Sequence, residues 1–269
     1  MVNRKMILVA LLAVLAVAAL VPASAQAQLC TVVAGGANYT IPAASHYDNS
    51  QTSNFTGVGT GDQLFEDGWW FRVNPIDTRE FFFPAPTTTT CAGAAGTITW
   101  ADVSARGLFS ATNTLAITSP GAGMGEVILT MSITNLSAVN PLLISIFHGA
   151  DFDVNGTAAT DNATLLNPNN YIRITDSTAG AAEQRGFNPP ANAFLVRPFG
   201  ATDVFAELDD AAVDNFNNTT LPTSNFDYTG AFQWDLNIPA SGTASVSVAL
   251  NANAPPTTPV ELIGVSVEE

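Results

Sequence analysis

An acidic segment in the middle of the chain, DFDVNGTAATDN, carries oxygen-bearing side chains at the spacing of a calcium loop. An EF-hand-type loop has oxygen ligands at positions 1, 3, 5, 7, 9 and 12, and a glycine at position 6, where the chain bends sharply. Asp151, Asp153 and Asn155 occupy the first three ligand positions, and Gly156 occupies the sixth position. The agreement ends at position 12, where Asn162 stands in place of a bidentate glutamate.

Two interpretations of this segment remain open at the level of sequence. In the first, Asp151, Asp153 and Asn155 bind calcium as a cofactor, and either Asp161, one residue before position 12, or a distant carboxylate completes the shell. In the second, the segment is a strand end followed by turns, in which Asp and Asn side chains bond to their own backbone. The preceding residues, LLISIFHGA, have the composition of a strand. A true EF-hand loop would follow a helix instead.

No side chain stands in a recognisable catalytic motif, and we predict no catalytic residue. The chain lacks the Gly-x-Ser-x-Gly nucleophile motif, and its two histidines, His46 and His148, have no supporting context. His148 precedes Asp151 by three residues, but strand alternation places it with apolar neighbours, so we expect a bond to backbone rather than to a metal. A glycosidase-like carboxylate pair remains open, although with 23 acidic residues no pair stands out.

A cluster of aromatic residues is the second feature that could form a functional site. The segments LFEDGWWFRV and REFFFP flank NPIDT, which predicts a hairpin with Trp69 and Trp70 at consecutive positions of one strand. Alternation would place bulky rings on both faces, as in a central hairpin that is buried on both sides. If one face is exposed instead, Trp69, Trp70 and Trp234 are candidates for stacking on sugar rings or for a protein contact.

Alternating apolar and polar residues predict the elements that must position these side chains. In EVILTMSITN, Val127, Leu129 and Met131 share one face, and TASVSVALNAN follows the same period of two. Many short strands separated by turns predict an all-β, antiparallel β-sandwich of Ig-like or jelly-roll-like type. One segment, DVFAELDDAAVDNF, has helical spacing and predicts a short helix near 203–216, with Asp203 as its N-cap.

The two ends of the chain indicate export and divide it into segments. A positive N-terminus, an apolar run and small-x-small sites predict a signal peptide over 1–27. The β-sandwich domain then covers 28–252, and a Pro/Thr-rich linker covers 253–259. Residues 260–269 alternate again and predict a terminal strand, which either joins the same sandwich or serves as an arm for a neighbouring copy.

Charge and cysteine content narrow the partners and the compartment. Without the predicted signal peptide the chain keeps six arginines and 23 acidic residues, a formal net charge of −17. This charge repels phosphates and anionic lipids, so we expect no nucleic-acid partner and no membrane insertion. Cys30 and Cys91 are the only cysteines, and in an oxidising compartment we expect them to pair. Closing this loop would stabilise the fold by roughly 4 kcal/mol on the chain-entropy estimate.

Three segments resemble parts of bacterial secreted or cell-surface Ig-like β-sandwich proteins. SITNLSAVNPLLISI resembles their strand-turn-strand entry, and WDLNIPASGTASVSV resembles the strand, turn and strand near their end. TPVELIGVSVEE is similar to a segment near the C-terminus of many secreted bacterial modules. The resemblance implies an extracellular β-sandwich, and it names no activity and no active-site residue.

Three functional hypotheses follow from these features. The first is a secreted, non-enzymatic surface or extracellular-matrix protein, with structural or adhesive contacts to other copies, to extracellular proteins or to glycans. The alternative is a calcium-assisted carbohydrate-binding protein. The third is an extracellular glycoside hydrolase, which would need two carboxylates facing each other across a cleft.

Overall fold

The computed structural model describes residues 29–42, 45–47, 54–166, 170–176 and 180–252. The predicted signal peptide, linker and terminal strand lie outside these residues. Regular structure within them consists of many strands, two 3-10 turns and a single short α-helix. Among the residues described, no helix is long and apolar enough to cross a lipid bilayer.

The strands are β1 (Leu29–Ala34), β2 (Ala37–Pro42), β3 (His46–Tyr47), β4 (Phe55–Thr56), β5 (Leu64–Asn74), β6 (Phe81–Phe82), β7 (Thr88–Ala92), β8 (Ala95–Trp100), β9 (Phe109–Thr118), β10 (Gly125–Asn135), β11 (Leu142–Phe152), β12 (Asp161–Leu166), β13 (Tyr171–Asp176), β14 (Ala181–Phe187), β15 (Ala193–Pro198), β16 (Thr223–Phe226), β17 (Tyr228–Ile238) and β18 (Thr243–Ala252). The helix is α1 (Val204–Leu208), and the 3-10 turns are Val103–Ala105 and Val154–Gly156.

These strands form three sheets, in which the strands pair antiparallel. A nine-stranded sheet has the order β16-β12-β13-β14-β18-β10-β9-β8-β7, and a six-stranded arrangement contains β15-β17-β11-β5-β3 with β6 paired to β5. A third sheet has the order β1-β2-β4. The predicted all-β, antiparallel sandwich is therefore confirmed. The strands outnumber the roughly seven to nine of an Ig-like sandwich.

The main core contains side chains from all three sheets. In β10, buried and half-buried residues alternate along the whole strand, and Val127, Leu129, Met131 and Ile133 are fully buried. This confirms the face that the period of two predicts. Burying each such side chain stabilises the fold by about 1.5–3 kcal/mol, which holds the large sheets together.

The other face of the six-stranded sheet carries a smaller apolar cluster beneath α1. The outer cluster, as we call it, consists of Trp70, Phe147, Leu195, Val204, Phe205, Leu208, Phe216 and Ala231. Gly149 makes room for the helix, because a Cβ at this position would lie 3.0 Å from the Phe205 ring. Asp203 caps α1 as predicted, by accepting from the Ala206 N–H at 2.7 Å. The predicted helix near 203–216 is too long: the helix ends at Leu208, and residues 209–216 continue without helical structure.

The predicted disulfide is present and ties the small sheet to the nine-stranded sheet. Cys30 lies in β1 and Cys91 in the edge strand β7, with their Cα atoms 5.4 Å apart. Gly96 lies opposite Cys91 in β8, and a Cβ there would come within 2.9 Å of both sulfurs. The strand pair can therefore hold the bridge only with a glycine at this position.

A buried carboxyl group links the small sheet to β5. Asp67 is fully buried and accepts hydrogen bonds from the Tyr39 hydroxyl and the Asn54 amide, each at 2.6 Å. Burial raises the pKa of Asp67 to about 7, against the opposing effect of these two hydrogen bonds. In the native state this carboxyl group therefore keeps a proton that an unfolded chain releases near pH 4.

We expect Asp67 to make the protein less stable as the pH rises from about 4 to 7. The folded state binds the proton more tightly than the unfolded state, so the stabilisation is complete at low pH and is lost as the pH passes the folded pKa. Asp67→Asn should remove this slope, which for one group is at most about 1.4 kcal/mol per pH unit. Urea unfolding in EDTA between pH 5 and 8 measures it. Parallel pH profiles for wild type and variant would show that Asp67 is ionised in the native state.

Candidate metal centre

The register between β11 and β17 brings three aspartates together at one end of the six-stranded sheet. Phe152, the last residue of β11, pairs with Tyr228, the first residue of β17. Asp153 follows the first strand and Asp227 precedes the second, so a continued register places them opposite each other. Asp151 lies two residues before Asp153, and its side chain therefore points to the same face of the sheet.

The geometry of these carboxylates suits a single cation. Asp151, Asp153 and Asp227 each offer one oxygen, and all three oxygens lie within 4.8 Å of one another. Calcium binds oxygen ligands at about 2.3–2.6 Å, so two ligands on opposite sides of an ion lie up to about 5 Å apart. One ion can therefore contact all three carboxylates without a rearrangement of the backbone.

The three aspartates line a small cavity of about 80 Å³, which we call the acidic cavity. Its walls are Phe65, Asp151, Asp153, Ala158, Phe199 and Asp227. Asp151 is only 1% exposed, and its Oδ1 has no hydrogen-bond partner among the described residues. The Oδ1 of Asp227 is also buried and without such a partner. An unpaired buried carboxylate is costly, so these oxygens call for a cation or a proton.

Electrostatics in the acidic cavity follow from burial and from mutual repulsion. Burial raises the pKa of Asp151 well above its usual range, and the charges of Asp227 and Asp153 raise it further. Burial also raises the pKa of Asp153, with Asp62 as the next cause. The pKa of Asp227 rises to about 6, first through burial and then through Asp153. None of the described residues that line the cavity is cationic, so these charges are not offset there.

Backbone contacts from the residues before β5 hold the loop after β11 in place. The Asp153 N–H donates to the Gln63 carbonyl at 3.0 Å, and the Asn155 N–H donates to the Gln63 side chain at 2.9 Å. The chain then turns through Asn155 and Gly156, whose φ angles are 62° and 74°. Asn155 is exposed and does not line the acidic cavity. The structure therefore assigns Asn155 to the turn, where the sequence interpretation made it a ligand.

Asp161 is not one of the three converging aspartates, but it lies near enough for the charges of Asp153 and Asp227 to raise its pKa. It begins β12, where its Cα is paired with Asp176 on one side and Phe226 on the other. Burial, followed by the charge of Asp176, raises the pKa of Asp161 to about 8, so its carboxyl group is mostly protonated at pH 7. Of the predicted ligands, the structure thus brings together Asp151 and Asp153 and adds Asp227. Asp227 is distant in sequence, and only the strand register reveals it.

The two histidines lie away from the acidic cavity. His148 is fully buried in the middle of β11, with its ring edge-on to Trp69 at 4.6 Å. Its side chain points to the main core, opposite to Asp151, and burial lowers its pKa to about 3. Its ring nitrogens have no hydrogen-bond partner in another described residue, and an interaction with its own backbone opposes part of this lowering of the pKa. The His46 Nε2 and the Glu66 Oε1 form a hydrogen bond at 2.8 Å.

The tryptophans do not form an exposed platform for sugars. Trp69, Trp70 and Trp234 are all fully buried. Trp69 and Trp234 lie 6.2 Å apart in the main core, whereas Trp70 lies in the outer cluster and donates from Nε1 to Asp209 at 2.8 Å. The first strand of the predicted hairpin, β5, is buried on both faces around Trp69 and Trp70, whereas the second strand, β6, is only two residues long and leaves Phe82 51% exposed. Stacking of the three tryptophan rings on a ligand is excluded by their burial.

A pair of phenylalanines, which the sequence interpretation missed, borders the acidic cavity instead. The rings of Phe65 and Phe199 meet edge to face, with centroids 5.4 Å apart. Phe199 is 45% exposed, and its N–H donates to the Asp227 carbonyl at 2.9 Å. Phe65 lies in β5 and Phe199 in the loop before α1, so they come together only in the folded chain.

We expect Asp227→Asn to stabilise the protein when no divalent cation is present. At pH 8 the substitution removes one of three converging charges, which should raise the free energy of unfolding by less than about 1 kcal/mol, since Asp227 is partly screened by solvent. Asp210→Asn is the matched control, because Asp210 is exposed and an asparagine keeps its bond from the Ala212 N–H. Urea unfolding in EDTA makes the comparison. A loss of stability in Asp227→Asn would mean that this carboxylate is satisfied by the protein itself.

Comparison with known proteins agrees with the all-β fold and does not assign a function to the acidic cavity. No protein-family model matches the sequence, and no curated protein matches it. The chain resembles a bacterial glucoamylase complexed with acarbose, at 11% identity and a TM-score of 0.55, over 86% of this chain and 33% of the glucoamylase. It is also similar to a polysaccharide lyase, at 10% identity and a TM-score of 0.44, over 82% and 31% of the two chains. The chain thus spans about a third of the length of each, and the glucoamylase likeness is one of fold alone.

Proposed function

We propose that the chain is a secreted, non-enzymatic surface or matrix protein that binds calcium in the acidic cavity. The surface around this cavity contacts its extracellular partners, which are other copies, proteins or glycans. The observation that carries this proposal is the buried Asp151. Its Oδ1 has no hydrogen-bond partner among the described residues, and one of its carboxylate oxygens lies within 4.8 Å of an oxygen of Asp153 and of Asp227. Three buried or half-buried carboxylates without a counter-charge are stable only when a cation or protons neutralise them.

The donor set favours calcium over other metals. All three side chains offer oxygen, whereas zinc and copper sites in proteins use histidine and cysteine. Magnesium keeps most of its water and demands near-ideal octahedral geometry, while calcium accepts irregular shells of six to eight oxygens. Among the residues that the structure describes, no other group of this kind comes together. Both Asp153 and Asp227 lie outside strands, where small adjustments to an ion cost little.

The arrangement of the carboxylates favours binding over hydrolysis. A glycoside hydrolase needs an acid and a base with separate roles, which requires two carboxyl groups with pKa values moved apart. Here the pKa values of Asp151, Asp153 and Asp227 are all raised, and their oxygens converge on one point. This is the pattern of a ligand shell rather than of an acid-base pair.

Export is supported by covalent and electrostatic features. The chain contains the disulfide Cys30–Cys91. Disulfides persist in oxidising compartments and are rare in the cytosol. A formal net charge of −15 for the whole chain favours divalent cations over anionic partners. Together with the predicted signal peptide, these features favour a location where calcium is abundant and even weak sites are filled.

We expect calcium to raise the melting temperature at pH 7.5. An ion present at a hundred times its Kd stabilises the native state by about 2.7 kcal/mol. For a domain of this size, that corresponds to a shift of roughly 5–11 °C. Differential scanning calorimetry in EDTA and in millimolar calcium measures it, and Asp227→Asn should abolish the shift while Asp210→Asn retains it. An unchanged melting temperature of the wild-type protein in millimolar calcium would exclude the proposed function.

A further inference from the structure

An ion in the acidic cavity would keep part of its shell open toward solvent. Calcium takes six to eight oxygens, and three aspartates that each contribute one oxygen leave at least three positions. A cavity of about 80 Å³ has room for the ion and only a few further oxygen atoms. The remaining ligands must therefore be water molecules or the oxygens of a ligand that stays largely outside the cavity.

The mouth of the same cavity is aromatic. Phe199 is 45% exposed and meets Phe65 edge to face, so an apolar ring surface lies directly beside the open positions of the ion. A ligand that fits both features has adjacent oxygens on one edge and an apolar C–H face on the other. A pyranose ring has this construction.

Backbone contacts fix Phe199 with respect to the metal ligands. Its N–H donates to the carbonyl of Asp227, and the next residue, Gly200, donates from its N–H to the Asp203 carboxylate at 3.0 Å. Asp203 is in turn held as the N-cap of α1. The backbone that carries the exposed ring is therefore bonded to the residue that supplies one of the three carboxylates, and little backbone entropy is lost when a ligand binds.

Charge selects a neutral ligand. Within the described part of the chain no cationic residue lines the acidic cavity, and Glu66 and Asp203 add negative charge near Asp151. A carboxylate or phosphate ligand would meet this repulsion at every point except the ion itself. Hydroxyl groups coordinate calcium without adding charge.

From these four observations we infer that the mouth of the acidic cavity binds neutral glycans, through sugar hydroxyl groups on the calcium ion and a sugar ring against Phe65 and Phe199. This inference rests on the proposed calcium site and adds the class of ligand.

The test uses the full secreted chain and a set of named polysaccharides. Affinity electrophoresis in gels containing starch, mannan, galactan or laminarin measures neutral glycans, and polygalacturonate serves as the anionic comparison. We expect at least one neutral polysaccharide to retard the protein in calcium, no retardation in EDTA, and recovery when calcium is restored.

Two phenylalanine variants separate the aromatic contact from the metal. Phe199→Ala should weaken retardation at least tenfold and leave the calcium-dependent melting shift unchanged. Phe82→Ala is the matched control, because Phe82 is 51% exposed and does not line the acidic cavity. It should change neither measurement. Phe199→Leu, which keeps apolar bulk without a ring, covers the case in which the alanine variant fails to fold.

The outcomes distinguish the inference from the proposed function. If calcium raises the melting temperature but no neutral polysaccharide retards the protein, the inference is wrong and the calcium site stands. The inference is also wrong if binding persists in EDTA, if only polygalacturonate binds, or if both Phe199 variants bind like wild type. If calcium has no effect on melting, the proposed function fails first.

Discussion

The antiparallel pairing of β11 with β17 is the constraint on which the functional features of this molecule depend. It extends over the whole of both strands, from Leu142 opposite Ile238 to Phe152 opposite Tyr228. A slip of one residue would move every side chain to the other face, so that residues of the main core would lie against the outer cluster and those of the outer cluster would enter the main core. Burial of the core therefore fixes the register, and the register in turn places Asp153 against Asp227. The acidic cavity is a consequence of correct core packing rather than of a self-contained loop.

The chain carries an electrostatic conflict at this point, and such conflicts mark functional sites. Most of the molecule obeys the usual rules: apolar faces are buried, and the buried Arg72 is paired with Glu80. The acidic cavity breaks these rules by bringing three carboxylates together beside two aromatic rings. Uncompensated buried charges are expected at binding sites, because there the ligand supplies the partner that the protein lacks. A cation supplies the charge that the protein leaves out.

Local patterns in the sequence were sufficient for the fold class but not for the site. Alternation predicted the buried face of β10, and the two cysteines predicted their own bridge because no other cysteine is available. In β18 the face of Val246, Val248 and Leu250 is buried as predicted, but Ser247 and Ala249 on the opposite face are buried as well. The acidic segment predicted Asp151 and Asp153 by spacing. Asp227 and Phe199 could not be found in this way, because their roles depend on strand register between distant segments.

The aromatic strand β5 and the helix α1 show two further features that local sequence patterns could not predict. Consecutive aromatic residues in β5 indicated either burial on both faces or an exposed platform, and only the position of α1 over Trp70 decides between them. The helix itself is shorter than its apolar spacing indicates. Phe216 belongs to the outer cluster without being helical, so tertiary burial rather than helical periodicity explains its position.

A crystal structure of the chain grown in calcium tests the central claim most directly. We expect a calcium ion in the acidic cavity, at about 2.3–2.6 Å from oxygens of Asp151, Asp153 and Asp227, with further ligands from water on the side of Phe199. An anomalous signal at long wavelength would identify the ion. A cavity that contains only water in these crystals, with the Asp227 carboxylate turned away to a protein donor, would contradict the account.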